Sequence, residues 1–188
     1  MATVIPHFAR SQKVVFGKHC PSVAPLKAPY EESRYLGQWY EIARFPAWFE
    51  TNQICNSAHY ASLPSGLIQV NNTGYNIANA SAPRFEFQVG EAIVRDAKLG
   101  HLGVRFSKFQ PFGPYWVLDT DYETYSVVWS CSINLPVFHV EYAWILARRP
   151  QISDQLYFTI LSRLDKQGIP VGAFVKTPQD ERCGWTSR

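Results

Sequence analysis

The chain has 188 residues, a formal net charge of +3 and 18% charged side chains, which suits one globular domain with a full core. Its 18 basic and 15 acidic residues are dispersed, with no basic run longer than Arg148-Arg149, so neither a nucleic-acid stripe nor a polybasic membrane patch is expected. No apolar run approaches the length of an integral membrane segment.

Residues 1–34 read as an irregular N-terminal arm, punctuated by Pro6, Pro21, Pro25 and Pro29. The first 18 residues have no convincing apolar leader core, so either a leader has been removed or the protein is cytosolic; the four cysteines favour removal. A single domain then spans 35–188. Its first strand, 37–45, starts at Gly37, which permits a tight turn into the strand. Trp39, Glu41 and Ala43 fall on one face, with Tyr40 and Ile42 on the other. Pro46 stops the strand. The apolar stretch Ala47-Trp48-Phe49-Glu50 does not alternate; it reads as a lid over a barrel mouth, a turn packed outside, or an interface.

Strand-like runs recur over 53–63, which ends at Pro64-Ser65-Gly66, and over 67–77. In the run 84–94, Phe85, Phe87 and Val89 alternate with Arg84, Glu86 and Gln88. The runs 102–109, 115–118, 125–131 and 138–147 complete a set of eight with short links. That spacing predicts an antiparallel sandwich or an up-and-down barrel, all-β apart from one helix. The helix covers 152–167. Ser153 is its N-cap, Ile152, Leu156, Ile160, Leu161 and Leu164 recur at helical spacing, and Gly168 ends it. A short strand at 173–176 and a tail to 188 follow.

Aromatic residues make up 15% of the chain, enough to line a cavity as well as a core. Cys20, Cys55, Cys131 and Cys183 lack metal-ribbon spacing; an even, widely spaced set suits two disulfides in a secreted protein, with all three pairings open. Sequons at Asn71 and Asn79 fit the same compartment. His7, His19, His59, His101 and His139 are scattered, so no metal site is expected, and His59 should point outward. No Ser–His–Asp order stands out, no thiol is left for catalysis, and no enzyme is expected. Glu41, if buried, needs a hydroxyl or ligand partner.

Three short motifs then fall in order: Gly37-Gln38-Trp39 opening the first strand, Thr120-Asp121-Tyr122 between the sixth and seventh, and Arg148 ending the eighth before the helix. Together with the strand order they resemble the lipocalins. The resemblance implies an eight-stranded antiparallel up-and-down barrel, a calyx, with the C-terminal helix on its flank. Its base would be closed by Arg148 packed across Trp39, beside Gly37. Tyr35-Leu36-Gly37-Gln38-Trp39-Tyr40-Glu41-Ile42, Pro114-Tyr115-Trp116-Val117-Leu118 and Ala143-Trp144-Ile145-Leu146-Ala147-Arg148 resemble the apolipoprotein D-like branch. That likeness runs from Cys20 to Cys183, is poor over 67–82, and implies the pairs Cys20–Cys131 and Cys55–Cys183. Cys131 would then face outward with Val127 and Trp129. Alternation and resemblance together nominate Tyr60, Phe106, Tyr115, Tyr142, Trp144, Leu146 and Glu41 for the ligand wall. The resemblance implies a secreted carrier of a fatty acid, steroid, retinoid or similar lipophile, as a monomer or weak homo-oligomer. The alternative is a chromoprotein holding a bilin such as biliverdin, or a carotenoid, non-covalently. No cofactor for catalysis is implied.

Overall fold

The structure, a computed structural model, describes residues 13–16, 19–132 and 138–185. The expected irregular course of 1–12 and 17–18, and the end of the tail at 186–188, lie outside the described residues.

Eight antiparallel strands close into a barrel: β2 (Gly37–Arg44), β3 (Gln53–Ser62), β4 (Ile68–Asn76), β5 (Arg84–Asp96), β6 (His101–Arg105), β7 (Gly113–Thr120), β8 (Tyr125–Ser132) and β9 (Phe138–Ala147). Each pairs with its sequence neighbour, and β9 returns to pair with β2 from Tyr40↔Ala147 to Arg44↔Trp144. Closure removes the unpaired edges an open sheet would present.

β9 extends beyond that seam and β2 beyond its pairing with β3, which ends at Tyr40↔Ser57, and each free edge receives a short partner. β1 (Lys13–Phe16) pairs with β9 from Lys13↔Glu141 to Phe16↔Phe138. β10 (Val175–Lys176) pairs with the end of β2. The arm is therefore not irregular throughout. Its Lys-Val-Val-Phe run forms β1, and Glu32–Tyr35 makes one helical turn, α1. The ammonium of Lys13 pairs with the buried carboxylate of Glu141, whose other oxygen meets His139 Nε2 at 2.9 Å.

Two cores result. The inner one fills the base of the barrel with Tyr35, Trp39, Ile68, Val70, Leu102 and Val128, among others. The outer one lies between the barrel wall and α2 (Asp154–Asp165), with Phe45, Val127, Trp129 and Ile145 against Tyr157, Ile160 and Leu164. Ser153 Oγ caps α2 by accepting from Leu156 N–H at 3.2 Å. The disulfides are Cys20–Cys131, tying the arm to β8, and Cys55–Cys183, tying the C-terminal segment to β3. Cys131, Val127 and Trp129 share the outer core.

Candidate functional site

The base is a single hydrogen-bonded plug. Gly37 has φ +92°, a conformation open to glycine at little cost. It turns the chain so that Trp39 enters fully buried, its Nε1–H donating to Tyr35 O at 2.7 Å. Across the ring lies Arg148, its guanidinium carbon 3.7 Å from the indole centroid. Arg148 Nε donates to Tyr122 O at 2.9 Å, Nη1 to Leu36 O and Gln38 O at 2.9 Å, and Nη2 to Arg34 O at 2.6 Å. The loop carrying Tyr122 is set by Asp121. Burial would raise this carboxyl's pKa, but the Thr124 hydroxyl and the N–H groups of Thr124, Tyr125 and Glu123 outweigh it and hold the pKa below the usual range.

Above the plug the barrel encloses a cavity of about 820 Å³. Its lower wall carries Tyr60, Val70, Tyr115 and Leu146. The phenols form a chain: Tyr60 Oη lies 2.7 Å from Tyr115 Oη, which lies 3.4 Å from Tyr35 Oη, and Tyr35 Oη is 3.0 Å from Ser126 Oγ. Burial keeps all three protonated; Tyr35, despite its hydroxyl partners, is pushed up to about 12, and burial raises Tyr60 and Tyr115 above the usual phenol range as well. Val104, Phe106 and Trp144 form the middle, and Trp48 and Phe49 stand at the mouth. On β5 the row Glu86, Gln88, Gly90, Ala92 pairs with Gly74, Asn72, Val70 and Ile68, so it faces inward. Gly90 lets Phe106 lie flat on that strand: a methyl group there would meet Arg105 O at 2.5 Å and the Phe106 ring at 2.6 Å.

Two bulges make one side of this wall polar. Strand alternation should place residues three apart on opposite faces. Between Glu41 and Ala43 the register with β9 shifts, so Glu41 and Arg44 both face the interior. Between Ile54 and Ser57 it shifts again, with Cys55 at φ 60°, so Gln53 and Asn56 both turn inward. Asn56 Nδ2 donates to Gln53 Oε1 at 2.7 Å, and Gln53 Nε2 to Glu86 Oε2 at 2.9 Å. Glu41 is buried against Arg44 and the Thr177 hydroxyl. Glu50, on the one-turn 3-10 helix Trp48–Glu50, accepts from Trp144 Nε1 at 3.3 Å and lies 3.7 Å from Arg44 Nε.

Glu50 keeps 13% of its side chain exposed, and burial, then the Glu41 charge, raise its carboxyl well above the usual range against the pull of Arg44. Tyr142 also faces it, and its phenol is raised by burial and by Glu50. The sign follows from linkage. As pH rises from the ordinary carboxylate range toward the folded value, the unfolded chain loses this proton first, so stability falls, by at most about 1.4 kcal/mol per unit. Glu50→Gln should abolish that slope: the midpoint of urea unfolding should fall less between pH 5 and pH 8 than in the parent. Parallel pH profiles would contradict the assignment.

Of the residues nominated from the sequence, Glu41, Tyr60, Phe106, Tyr115, Trp144 and Leu146 line the cavity. Tyr142 does not. β9 runs from the mouth at Phe138 down to the base at Ala147, so Tyr142 sits toward the rim, stacked on Trp144 at 5.9 Å and touching Phe49. Gln53, Asn56, Glu50 and Glu86 escaped the sequence reading; the parity of Asn56 with Tyr60 was a usable signal, whereas nothing local reveals the bulges. Phe85, Phe87 and Val89 face out, 53%, 68% and 48% exposed. Asn79 is exposed between β4 and β5, whereas Asn71 lies within β4 with its Oδ1 buried.

The family model described as "Lipocalin-like domain" matches residues 31–179. Apolipoprotein D of Macaca fascicularis is 36% identical over 176 residues, covering 93% of this chain and 89% of that protein. Insecticyanin from the tobacco hornworm Manduca sexta superposes with a TM-score of 0.75 at 23% identity, covering 92% of both chains. Lobster apocrustacyanin A1 does so at 0.69 and 19% identity, covering 88% of this chain and 96% of that one; at these identities the two structures speak for the fold. With the plugged base, the open calyx and a sequence relative of this extent, the chain belongs to the lipocalin family, in its apolipoprotein D-like branch.

Proposed function

We propose that the protein is a secreted carrier that holds one small hydrophobic molecule in the calyx. The observation that carries the reading is the cavity of about 820 Å³, closed at one end and walled by Tyr60, Phe106, Tyr115, Trp144 and Leu146. Burying about 300 Å² of apolar ligand surface at roughly 25 cal/mol per Å² supplies about 7 kcal/mol before the cost of association. The relatives' names, apolipoprotein D among them, agree with lipid carriage. Two disulfides and the exposed sequon at Asn79 support passage through an oxidising, glycosylating compartment. Enzymatic removal of N-glycans from protein secreted by animal cells should lower its mass by one glycan, and no change would count against that route.

Titration with a lipophilic fluorophore should saturate at one equivalent and quench tryptophan emission through Trp144. Leu146→Trp, which fills the lower cavity, should abolish uptake while the unfolding midpoint stays near that of the parent. Undiminished uptake by a folded Leu146→Trp variant would overturn the assignment of the site.

A second reading, a pigment carrier, is favoured by the near-parallel Tyr142–Trp144 pair, 15° between planes, which offers a flat face to a conjugated ligand. Adding biliverdin or a carotenoid should then produce a shifted visible band that co-elutes with the protein; a colourless eluate removes this reading and leaves the first.

A further inference from the structure

The cavity wall is charged asymmetrically. Three acidic side chains line it, Glu41, Glu50 and Glu86, of which Glu50 holds its proton above the ordinary carboxylate range, while no lysine, arginine or histidine does so among the described residues. The nearest cation, Arg44, is occupied. Its Nη1 serves Glu41 and the Thr177 hydroxyl, and its Nη2 donates to Glu50 O at 2.9 Å and Gln53 O at 3.2 Å. Glu86, near the mouth, accepts from Arg84 Nη2 at 2.6 Å, Gln53 Nε2 at 2.9 Å and Asn76 Nδ2 at 3.3 Å. Those donors hold its carboxyl below the usual range, Arg84 first, so it stays ionised at neutral pH. Asn56, more than nine-tenths buried on the inner face, donates one amide hydrogen to Gln53 Oε1, and its Oδ1 is buried with no partner in the protein. The polar side of the cavity thus carries the ionised Glu86 and the unpartnered acceptor Asn56 Oδ1, and among the described residues its amide donors, on Asn72, Gln88 and Gln110, carry no charge.

A carboxylate brought into this wall meets no cation that is not already paired, and near the mouth it faces the ionised Glu86, a like charge that repels it. A hydroxyl or an ammonium meets acceptors that want hydrogens. From this we propose that the ligand's polar end is a neutral or cationic hydrogen-bond donor, an alcohol or amine, and not a carboxylate. The inference rests on the carrier reading above and narrows it: among simple lipophiles it selects long-chain alcohols, sterols and amines over fatty acids.

The test uses three probes with one tail: dodecanol, dodecylamine and dodecanoate, each displacing the same lipophilic fluorophore from the intact protein at pH 7.4 and low micromolar concentration. The alcohol and the amine should bind at least tenfold tighter than the acid. Glu86→Gln should bring amine and acid closer together, with the alcohol less affected. An acid that binds as tightly as the other two overturns the inference and leaves the carrier reading standing. If the fluorophore binds but none of the three displaces it, donor selection falls as well, because the matching head group then confers no affinity. A fluorophore that never binds removes the carrier reading, and this inference with it.

Discussion

Arg148→Met should lower the unfolding free energy by about 3–5 kcal/mol, a drop in Tm on the order of 10 °C for a chain of this length. Methionine preserves the unbranched stem over Trp39 but removes every donor. Four carbonyls, on Arg34, Leu36, Gln38 and Tyr122, lose their partner at once. Those deepest in the base then bear a desolvation cost of about 1–3 kcal/mol each, while the Arg34 carbonyl, nearer solvent, is rehydrated. The cation–π contact at 3.7 Å is lost as well. Arg148→Lys keeps a charge without the planar fork, so it should fall between parent and Met variant. Guanidinium unfolding followed by tryptophan fluorescence measures both; a Met variant within about 1 kcal/mol of the parent would mean that the base is held by Trp39 packing alone.

The second large effect concerns the disulfide at the other end of β3. Cys55 and Cys183 are 128 residues apart in sequence, and the chain-entropy model assigns a loop of that size about 4–5 kcal/mol. Replacing both by serine should cost a comparable amount in denaturant unfolding, and less than about 1 kcal/mol would show that the unfolded chain was already restrained. The same variant should alter binding. Cys55 sits at φ 60° inside the bulge, with its N–H donating to Pro178 O at 2.9 Å. Freed from Cys183, the bulge loses the tether that keeps Gln53 and Asn56 on one face. The gap between dodecylamine and dodecanoate should therefore shrink in the serine variant; an undiminished gap would show that the strand pairing alone sets the bulge.

Much of the scaffold was legible in the residues because its determinants are local. Strand-like runs separated by turn signals marked the eight barrel strands, Ser153 and Gly168 bounded α2, and the family resemblance of Gly37, Trp39 and Arg148 identified the base. The aromatic part of the cavity wall was nominated by alternation together with the family resemblance. What stayed hidden depends on partners far away in sequence. β1 is a strand only because β9 offers it an edge. The bulges at Ile42 and Cys55 put Arg44 and Gln53 on faces that alternation denies them. On β5 the apolar set Phe85, Phe87 and Val89 points outward while Glu86 and Gln88 point in, so hydrophobicity there marks the outside of a barrel whose inside is reserved for something else. Part of the polar side, Arg44 and Gln53, was thus hidden by departures from regular strand geometry, while Glu86 and Gln88 lie on a regular strand whose polar face turns inward.

Gly90 bears on the shape of the calyx. The ring of Phe106 rests where any side chain on Gly90 would stand. One added methyl group would have to displace that ring and also the backbone carbonyl of Arg105, 2.5 Å away, straining the pairing of β5 with β6. The place of Phe106 in the calyx wall thus depends on a missing carbon atom in the neighbouring strand, and backbone spacing as well as side-chain volume shapes the vessel.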